Sequence, residues 1–315
     1  MFENINMKKI IIWLTSIVIV CFGIGFLVFN ITGGHKNLIN INNGNLINSR
    51  NSKEYKLNDE KSGSINGINE INAESACADI NIITEKRNDV KVHMYGSING
   101  TYEPKLYLNA NGGNLEITTD KERSGSFSIF ESNLKLDIYI PENYNKSLNI
   151  ITSSGNIDVN KMKLKSISGI SVSGKLNLND ITCDELKAKS TSGAISGNNI
   201  IVNSADFKSV SGSIDFTKFN GDVNGESVSG KINIDYSEFN NTVELKCISG
   251  NIELSLPSAS QFKIQSRSVS GKISCEFPVT IEGSQGRNQL TGTVVSGKNS
   301  IILNTTSGSI NINTK

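Results

Sequence analysis

The chain of 315 residues carries 31 Lys and Arg against 30 Asp and Glu, a formal net charge of +1, with 6% aromatics and only two histidines. A balanced charge without a basic stripe interleaved with aromatics excludes nucleic-acid binding. The aromatic content is also thin for a protein that grips sugars by ring stacking.

In chain order, Met1 to Lys9 precede Ile10 to Phe29, a run of 20 residues without charge. That length crosses a bilayer as a helix. A cleaved signal peptide has a shorter core and a small-x-small site behind it. Phe29-Asn30-Ile31-Thr32-Gly33-Gly34 fits that poorly, and Val18-Ile19-Val20 before Cys21 does not resemble a lipoprotein processing box. The expectation is therefore an uncleaved anchor in contact with membrane lipid through residues 10–29. Lys8, Lys9 and the amino terminus flank one side and Lys36 alone the other, which places residues 1–9 in the cytoplasm and the rest outside.

Residues 30–67 are rich in Asn, Gly, Ser and Lys, as in Asn40-Ile41-Asn42-Asn43-Gly44-Asn45, and hold no sustained apolar period. They read as a flexible stalk, with a short strand on the domain edge as the alternative. From Ile68 apolar and polar residues alternate, as in Ile80-Asn81-Ile82, Val90-Lys91-Val92-His93-Met94 and Leu134-Lys135-Leu136-Asp137-Ile138. Such alternation predicts half-buried strands. Ala78-Asp79-Ile80 reads as a degenerate copy of the repeat that follows, so residues 68–145 are expected to be irregular first coils and not a separate domain.

Residues 146–277 are organised by one recurring phrase. Ser-Gly-x-Ile/Leu appears at Gly155, Gly174, Gly193, Gly212, Gly230, Gly250 and Gly271, spaced 19, 19, 19, 18, 20 and 21 residues apart, with a last copy at Gly308. A near-constant period of about 20 residues marks a stack in which each unit buries its apolar face on its neighbours. Alternation on both sides of each glycine, as in Val243-Glu244-Leu245-Lys246 and Ile252-Glu253-Leu254, makes every unit two short strands around a corner. Ser is poor at the first position of a two-residue hairpin turn, whereas a solenoid corner needs one left-handed residue that glycine supplies freely. The expected fold is thus all-β, a parallel β-solenoid or β-helix of about 19-residue coils behind a transmembrane helix, with stacked hairpins as the runner-up.

Stacking aligns equivalent positions. The third residue after each glycine forms a polar outward column of Asp158, Asn177, Asp215, Asn233, Glu253, Ser274 and Asn311, and the Ser before each glycine forms a hydroxyl row expected to bond turn backbone. The column lacks the Gly-Gly-x-Gly-x-Asp pattern of calcium-loaded β-helices and reads as a solvated face. Residues 278–315 are expected to form a C-terminal cap, with the Gly-rich insertion from Pro278 to Thr293, which contains Arg287, as either cap or binding loop. Cys77, Cys183, Cys247 and Cys275 lie outside the anchor. Cys275 falls on an inward strand position out of phase with Cys247, which points to a buried free thiol.

His35 and His93 have no metal-ligand spacing and no nucleophile motif beside them. No residue is assigned to catalysis, to a cofactor or to a metal, and no binding residue is singled out. A β-helix enzyme acting on acidic polysaccharides would need carboxylates gathered in a groove, but Asp and Glu are scattered over many coils.

Leu136-Asp137-Ile138-Tyr139-Ile140-Pro141, then Leu148-Asn149-Ile150-Ile151-Thr152-Ser153-Ser154-Gly155-Asn156-Ile157, followed by tandem Ser-Gly-x-Ile units, resembles the putative-adhesin family of bacterial β-solenoid proteins, particularly its membrane-anchored, LiaG-like members. The resemblance spans about residues 68–315. It implies a non-catalytic surface protein of Gram-positive bacteria near cell-envelope stress systems, and brings no binding residues with it. The reading from sequence is a single-pass cell-membrane protein whose extracellular β-solenoid is a binding or scaffold module for a wall polymer or a membrane-protein partner. An accessory component of an envelope stress-sensing system is the alternative, and the polysaccharide enzyme the third.

Overall fold

The computed structural model describes residues 52–119, 129–282 and 286–315. The expected anchor at 10–29, its flanks and most of the stalk lie outside the described residues. Those described contain 21 strands, and none of their segments is a helix long and apolar enough to cross a membrane.

The strands are β1 (Lys53–Ser64), β2 (Glu70–Ser75), β3 (Asp79–Glu85), β4 (Asp89–Gly100), β5 (Tyr107–Asn111), β6 (Asn114–Thr118), β7 (Ile129–Pro141) and β8 (Ser147–Thr152) at the N-terminal end. Four long strands follow, β9 (Ile157–Ser171), β10 (Leu176–Ser190), β11 (Ile195–Ser209) and β12 (Ile214–Ser227). The remainder are β13 (Ile232–Tyr236), β14 (Thr242–Cys247), β15 (Ile252–Leu256), β16 (Phe262–Ser268), β17 (Ile273–Cys275), β18 (Thr280–Ile281), β19 (Gln289–Val294), β20 (Asn299–Thr305) and β21 (Ile310–Thr314).

Equivalent residues pair in parallel one repeat apart, Ile157 with Leu176, Leu176 with Ile195 and Ile195 with Ile214. The Ser-Gly corner therefore joins two parallel faces, as in a solenoid, and hairpins are confined to the ends. Behind each corner one buried aliphatic residue stacks on the next, Ile80, Ile157, Leu176, Ile195, Ile214, Ile232, Ile252 and Ile310. Each such side chain contributes about 1.5–3 kcal/mol on leaving water. In the later coils the core is aromatic. Phe207 stacks on Phe216 at 4.2 Å between centroids, and edge-to-face contacts continue through Phe219, Tyr236, Phe239 and Phe262 to Phe277. The bulk of Phe216 is accommodated by Gly197, whose missing Cβ would lie 2.6 Å from the Phe216 ring.

The corner glycine has a different reason from the one expected. None of the eight Ser-Gly glycines has positive φ. A Cβ on Gly174, Gly193, Gly212, Gly230 or Gly250 would instead be driven into the carbonyl oxygen of the glycine one coil earlier, well inside the 3.0 Å that real Cβ atoms keep. Backbone packs directly on backbone, and only glycine leaves the space. In the long-stranded coils the left-handed residue sits at a second corner and is not glycine: Lys161, Asp180, Asn199 and Lys218, with φ of 57, 55, 58 and 51°. Beyond this bend, Met162–Leu164, Ile181–Cys183 and Ile200–Val202 pair with one another before the ladder shifts again, giving the middle coils a short third side.

The hydroxyl row is displaced as well. The Ser directly before each corner glycine is exposed, though Ser154 Oγ still donates to the turn carbonyl of Ala76 at 3.3 Å; the turns are held mainly by the buried residue three before the glycine, Thr152, Ser171, Ser209, Ser227, Cys247, Ser268 and Thr305, while the equivalent Ser190 is buried without a hydrogen-bond partner. Ser171 Oγ accepts from Gly174 N at 2.9 Å and Ser227 Oγ from Gly230 N at 2.9 Å, while Thr305 Oγ1 donates to the carbonyl of Gly250 at 3.2 Å. Ala78 joins the same system through Ser75, whose Oγ accepts from Ala78 N at 3.0 Å, so the degenerate first copy is a true corner.

The order of coils in space departs from the order in sequence at both ends. β2 and β3 lie between β6–β7 and β8–β9. β20 and β21 lie between β14–β15 and β16–β17, so the last Ser-Gly copy is internal and not part of a C-terminal cap. The cap is made by the excursion through β16 to β19, where β19 turns antiparallel to β16 and β18. At the other end β4 runs antiparallel to β7, and β1 antiparallel to β4. Residues 53–64, within the segment expected to be stalk, are thus an edge strand: Tyr55, Leu57 and Asp59 alternate half-buried against exposed Lys and Glu, which blunts the edge.

Candidate functional site: an outer polar ladder

The face following the Ser-Gly corners carries a register-matched polar column through eleven strands: His93, Asp137, Asn81, Asp158, Asn177, Ser196, Asp215, Asn233, Glu253, Asn311 and Ser274. At ~4.8 Å per strand it runs on the order of 50 Å. Alternation with the buried aliphatic positions turns these side chains to the outer face, where Asp137 is covered and bonded by Tyr95. All seven column residues expected from the repeat are in it. Ser196, Asn81, Asp137 and His93 are additions, the last three because β3, β7 and β4 continue the register without a Ser-Gly signal.

Neighbouring rungs bond to each other. Asn81 Nδ2 donates to Asp137 Oδ1 at 2.6 Å, Asn177 Nδ2 to Asp158 Oδ1 at 2.7 Å, Ser196 Oγ to Asn177 Oδ1 at 2.8 Å and Asn233 Nδ2 to Asp215 Oδ1 at 2.9 Å. Placing amide donors beside carboxylates spaces the negative charges and fixes the side chains in one geometry. Two flanking columns repeat the device, with Asn199 donating to Asp180 at 2.7 Å and Asn224 to Asp206 at 3.0 Å.

At the N-terminal end the ladder meets a small polar cluster. His93 stacks on Tyr95 at 4.6 Å and its Nε2 lies 2.7 Å from Asn58 Oδ1, while Tyr95 donates to Asp137 Oδ2 at 3.1 Å. Burial, reinforced by that hydrogen bond, pushes the Tyr95 phenol up. Asp137 thus has both oxygens engaged. Among the described residues no three His, Cys, Asp or Glu side chains converge on a point. Among the described cysteines Cys183 and Cys247 are buried and Cys77 and Cys275 half-buried, with Cys183, Cys247 and Cys275 as free thiols. Burial raises the Cys183 thiol to about 12 and also raises those of Cys247 and Cys275.

A second feature lies on the third side. A groove of about 310 Å³ is lined by Asn145, Lys163, Lys165, Thr182, Asp184, Ile201 and Asn203 over a floor of Leu164, Cys183 and Val202. Its sequence signal is the alternating Lys161-Met162-Lys163-Leu164-Lys165 of β9, which the Ser-Gly period does not mark.

A repeat stack with parallel coils, glycine-on-glycine corners, an outer polar ladder and hairpin-capped ends defines a toastrack-like all-β repeat protein. The chain belongs to the Toastrack DUF4097 family, which it matches over residues 68–313, in agreement with the resemblance drawn from its sequence. No curated protein matches it. Among solved structures it is similar to one described as a putative cell adhesion protein from Clostridium sporogenes, at 18% identity, with 83% of this chain and 100% of that one covered and a TM-score of 0.31. It is also similar to a putative adhesin from Bacteroides fragilis, at 14% identity, 82% and 98% coverage and a TM-score of 0.45. A third is described as a putative lipid binding protein from Parabacteroides distasonis, at 16% identity, 81% and 96% coverage and a TM-score of 0.41.

Proposed function

We propose that the protein is a non-catalytic binding or scaffold module of the bacterial envelope, held on the outer side of the cell membrane by residues 10–29. The observation that carries this reading is the continuous polar column from His93 to Ser274. A flat array of fixed donors and acceptors repeating every ~4.8 Å suits an extended ligand that makes the same contact many times. The regular coils keep the array rigid, so little ordering is lost on binding. The full chain in detergent, mixed with insoluble wall polymer and sedimented, should be retained. Ser196→Arg with Asn233→Arg, which raise bulky cations from the middle of the face, should reduce retention at least tenfold. No retention of the unaltered chain, or equal retention of the variant, would refute the reading. The anchor is tested separately: the chain should stay with membranes through alkaline carbonate extraction, and residues 52–315 should be open to protease added outside intact cells.

A further inference from the structure

We infer that β1 is the contact through which two copies of this chain join, its free edge pairing antiparallel with β1 of a second copy about a two-fold axis at Asn58. This contact is independent of what the outer ladder binds.

Among the described residues the stack ends in four edge strands, each paired on one side only: β5 with β6, β17 with β21, β18 with β19 and β1 with β4. β5, β17 and β18 are short, with five, three and two residues. β17 is also covered on its outer side, where Ile273 N donates to the Arg287 carbonyl at 3.1 Å. β1 is different. It runs for 12 residues in unbroken register with β4, from Lys53 opposite Gly100 to Ser64 opposite Asp89. Its outer edge has no bulge, no proline and no backbone partner among the described residues. A long, regular edge is a template for another strand.

The charges along β1 select the occupant. Residues directly opposed across an antiparallel pair leave the same face of the sheet, so a two-fold pair must be centred on a residue. Centred on Asn58, Lys56 meets Glu60 on both sides of the axis, Leu57 meets Asp59, Tyr55 meets Lys61 and Glu54 meets Ser62. Every neighbouring centre opposes like charges: Lys56, Asp59, Glu60 or Lys61 to its own copy, or, about Leu57, Glu54 to Glu60 and Lys53 to Lys61. A parallel two-fold pair would set each charge against itself. Like charges directly opposite destabilise a sheet and opposite charges stabilise it. The residues that deter unrelated strands thus admit β1 itself, in one register. Lys56 and Glu60 are both exposed on the outer face, and Lys91, 2.8 Å from Glu60, fixes its carboxylate while leaving the side chain 52% exposed for a second cation. In this arrangement both cores lie on the same side of the joined sheet. The outer face runs from one stack into the next and roughly doubles the ladder of about 50 Å.

Analytical ultracentrifugation of the full chain in detergent should give a dimer. Lys56→Glu opposes two acids at each pair and Glu60→Lys two lysines, so each variant alone should raise the dimer Kd about tenfold or more. Mixed in equal amounts the two variants regain complementary pairs, and the parent affinity should return. A second measurement does not depend on the charges. Asn58→Cys stands ~5.5 Å from its own copy across the axis, within reach of a disulfide, so mild oxidation should link two chains. Ser62→Cys, about 27 Å from its copy, should cross-link no more than the parent. A monomeric parent, a mixture that dimerises no better than its components, or equal cross-linking at positions 58 and 62 overturns the inference.

Discussion

The carbonyl oxygen of Gly250 occupies the space into which a Cβ on Gly308 would project, although the two residues are separated in sequence by a whole further coil containing Gly271. The same approach recurs from Gly308 to Gly271, so the corner is a steric demand that any coil must meet wherever it enters the stack. Backbone strain plays no part in it. The consequence is a sharp distinction among the glycines.

Gly212→Ala should destabilise the protein by about 3 kcal/mol or more, because its Cβ meets the rigid Gly193 backbone and not a movable side chain. Gly112→Ala places its Cβ in open space and loses only the comfort of a φ of 59°, about 1–2 kcal/mol. Chemical denaturation of both variants measures the difference; a smaller loss for Gly212→Ala than for Gly112→Ala would remove the steric account.

The hydroxyl three residues before the corner should matter and the one next to it should not. Ser227→Ala leaves the buried Gly230 N–H without its acceptor, at a cost of about 1–3 kcal/mol. Ser229→Ala, on the exposed neighbour, should fall within ~0.5 kcal/mol of the parent. Denaturant midpoints of the two single variants decide the matter.

Removing residues 299–315 deletes β20 and β21 from the interior of the stack and strands the β16–β19 cap. The truncated chain should lose its single cooperative thermal transition and expose apolar surface to a hydrophobic dye. A simple drop of a few degrees in Tm with the transition intact would mean that these strands are peripheral.

Glu74 lies on β2 where burial, and secondarily the charge of Glu116, raises its carboxyl above the usual 4.5. A raised pKa in the fold means that the native state favours the protonated form. Its contribution to stability is complete below the ordinary carboxylate range and is lost as pH rises through the raised value. Glu74→Gln should therefore stabilise the protein at pH 7 and have little effect at pH 4. Thermal melts at the two pH values check the sign; an equal shift at both would show that the carboxyl does not titrate in the fold.

Much of this architecture is legible along the chain. The Ser-Gly-x-Ile period defines the coil, and alternation around it separates buried Ile157 or Leu176 from outward Asp158 or Asn177, because side-chain direction in a strand depends only on parity. The weak copy at Ala78 was legible for the same reason. Local pattern cannot say why glycine is needed at the corner, since the obstructing atom belongs to another coil. It also cannot distinguish the exposed Ser229 from the buried Ser227, both serines beside the same glycine.

By itself, then, the sequence determined the all-β class, the coil length, the inward and outward residues and most of the outer polar column. The tertiary structure alone decided the order of the coils. Every coil carries the same ladder of backbone bonds and the same glycine gap, so a strand pair fits equally well beside several others. Closing the exposed edges with β4, β7 and β19 selected the arrangement that puts the first and last coils inside. It also decided that Lys163 and Lys165 border a groove, because the third side exists only where successive coils bend together.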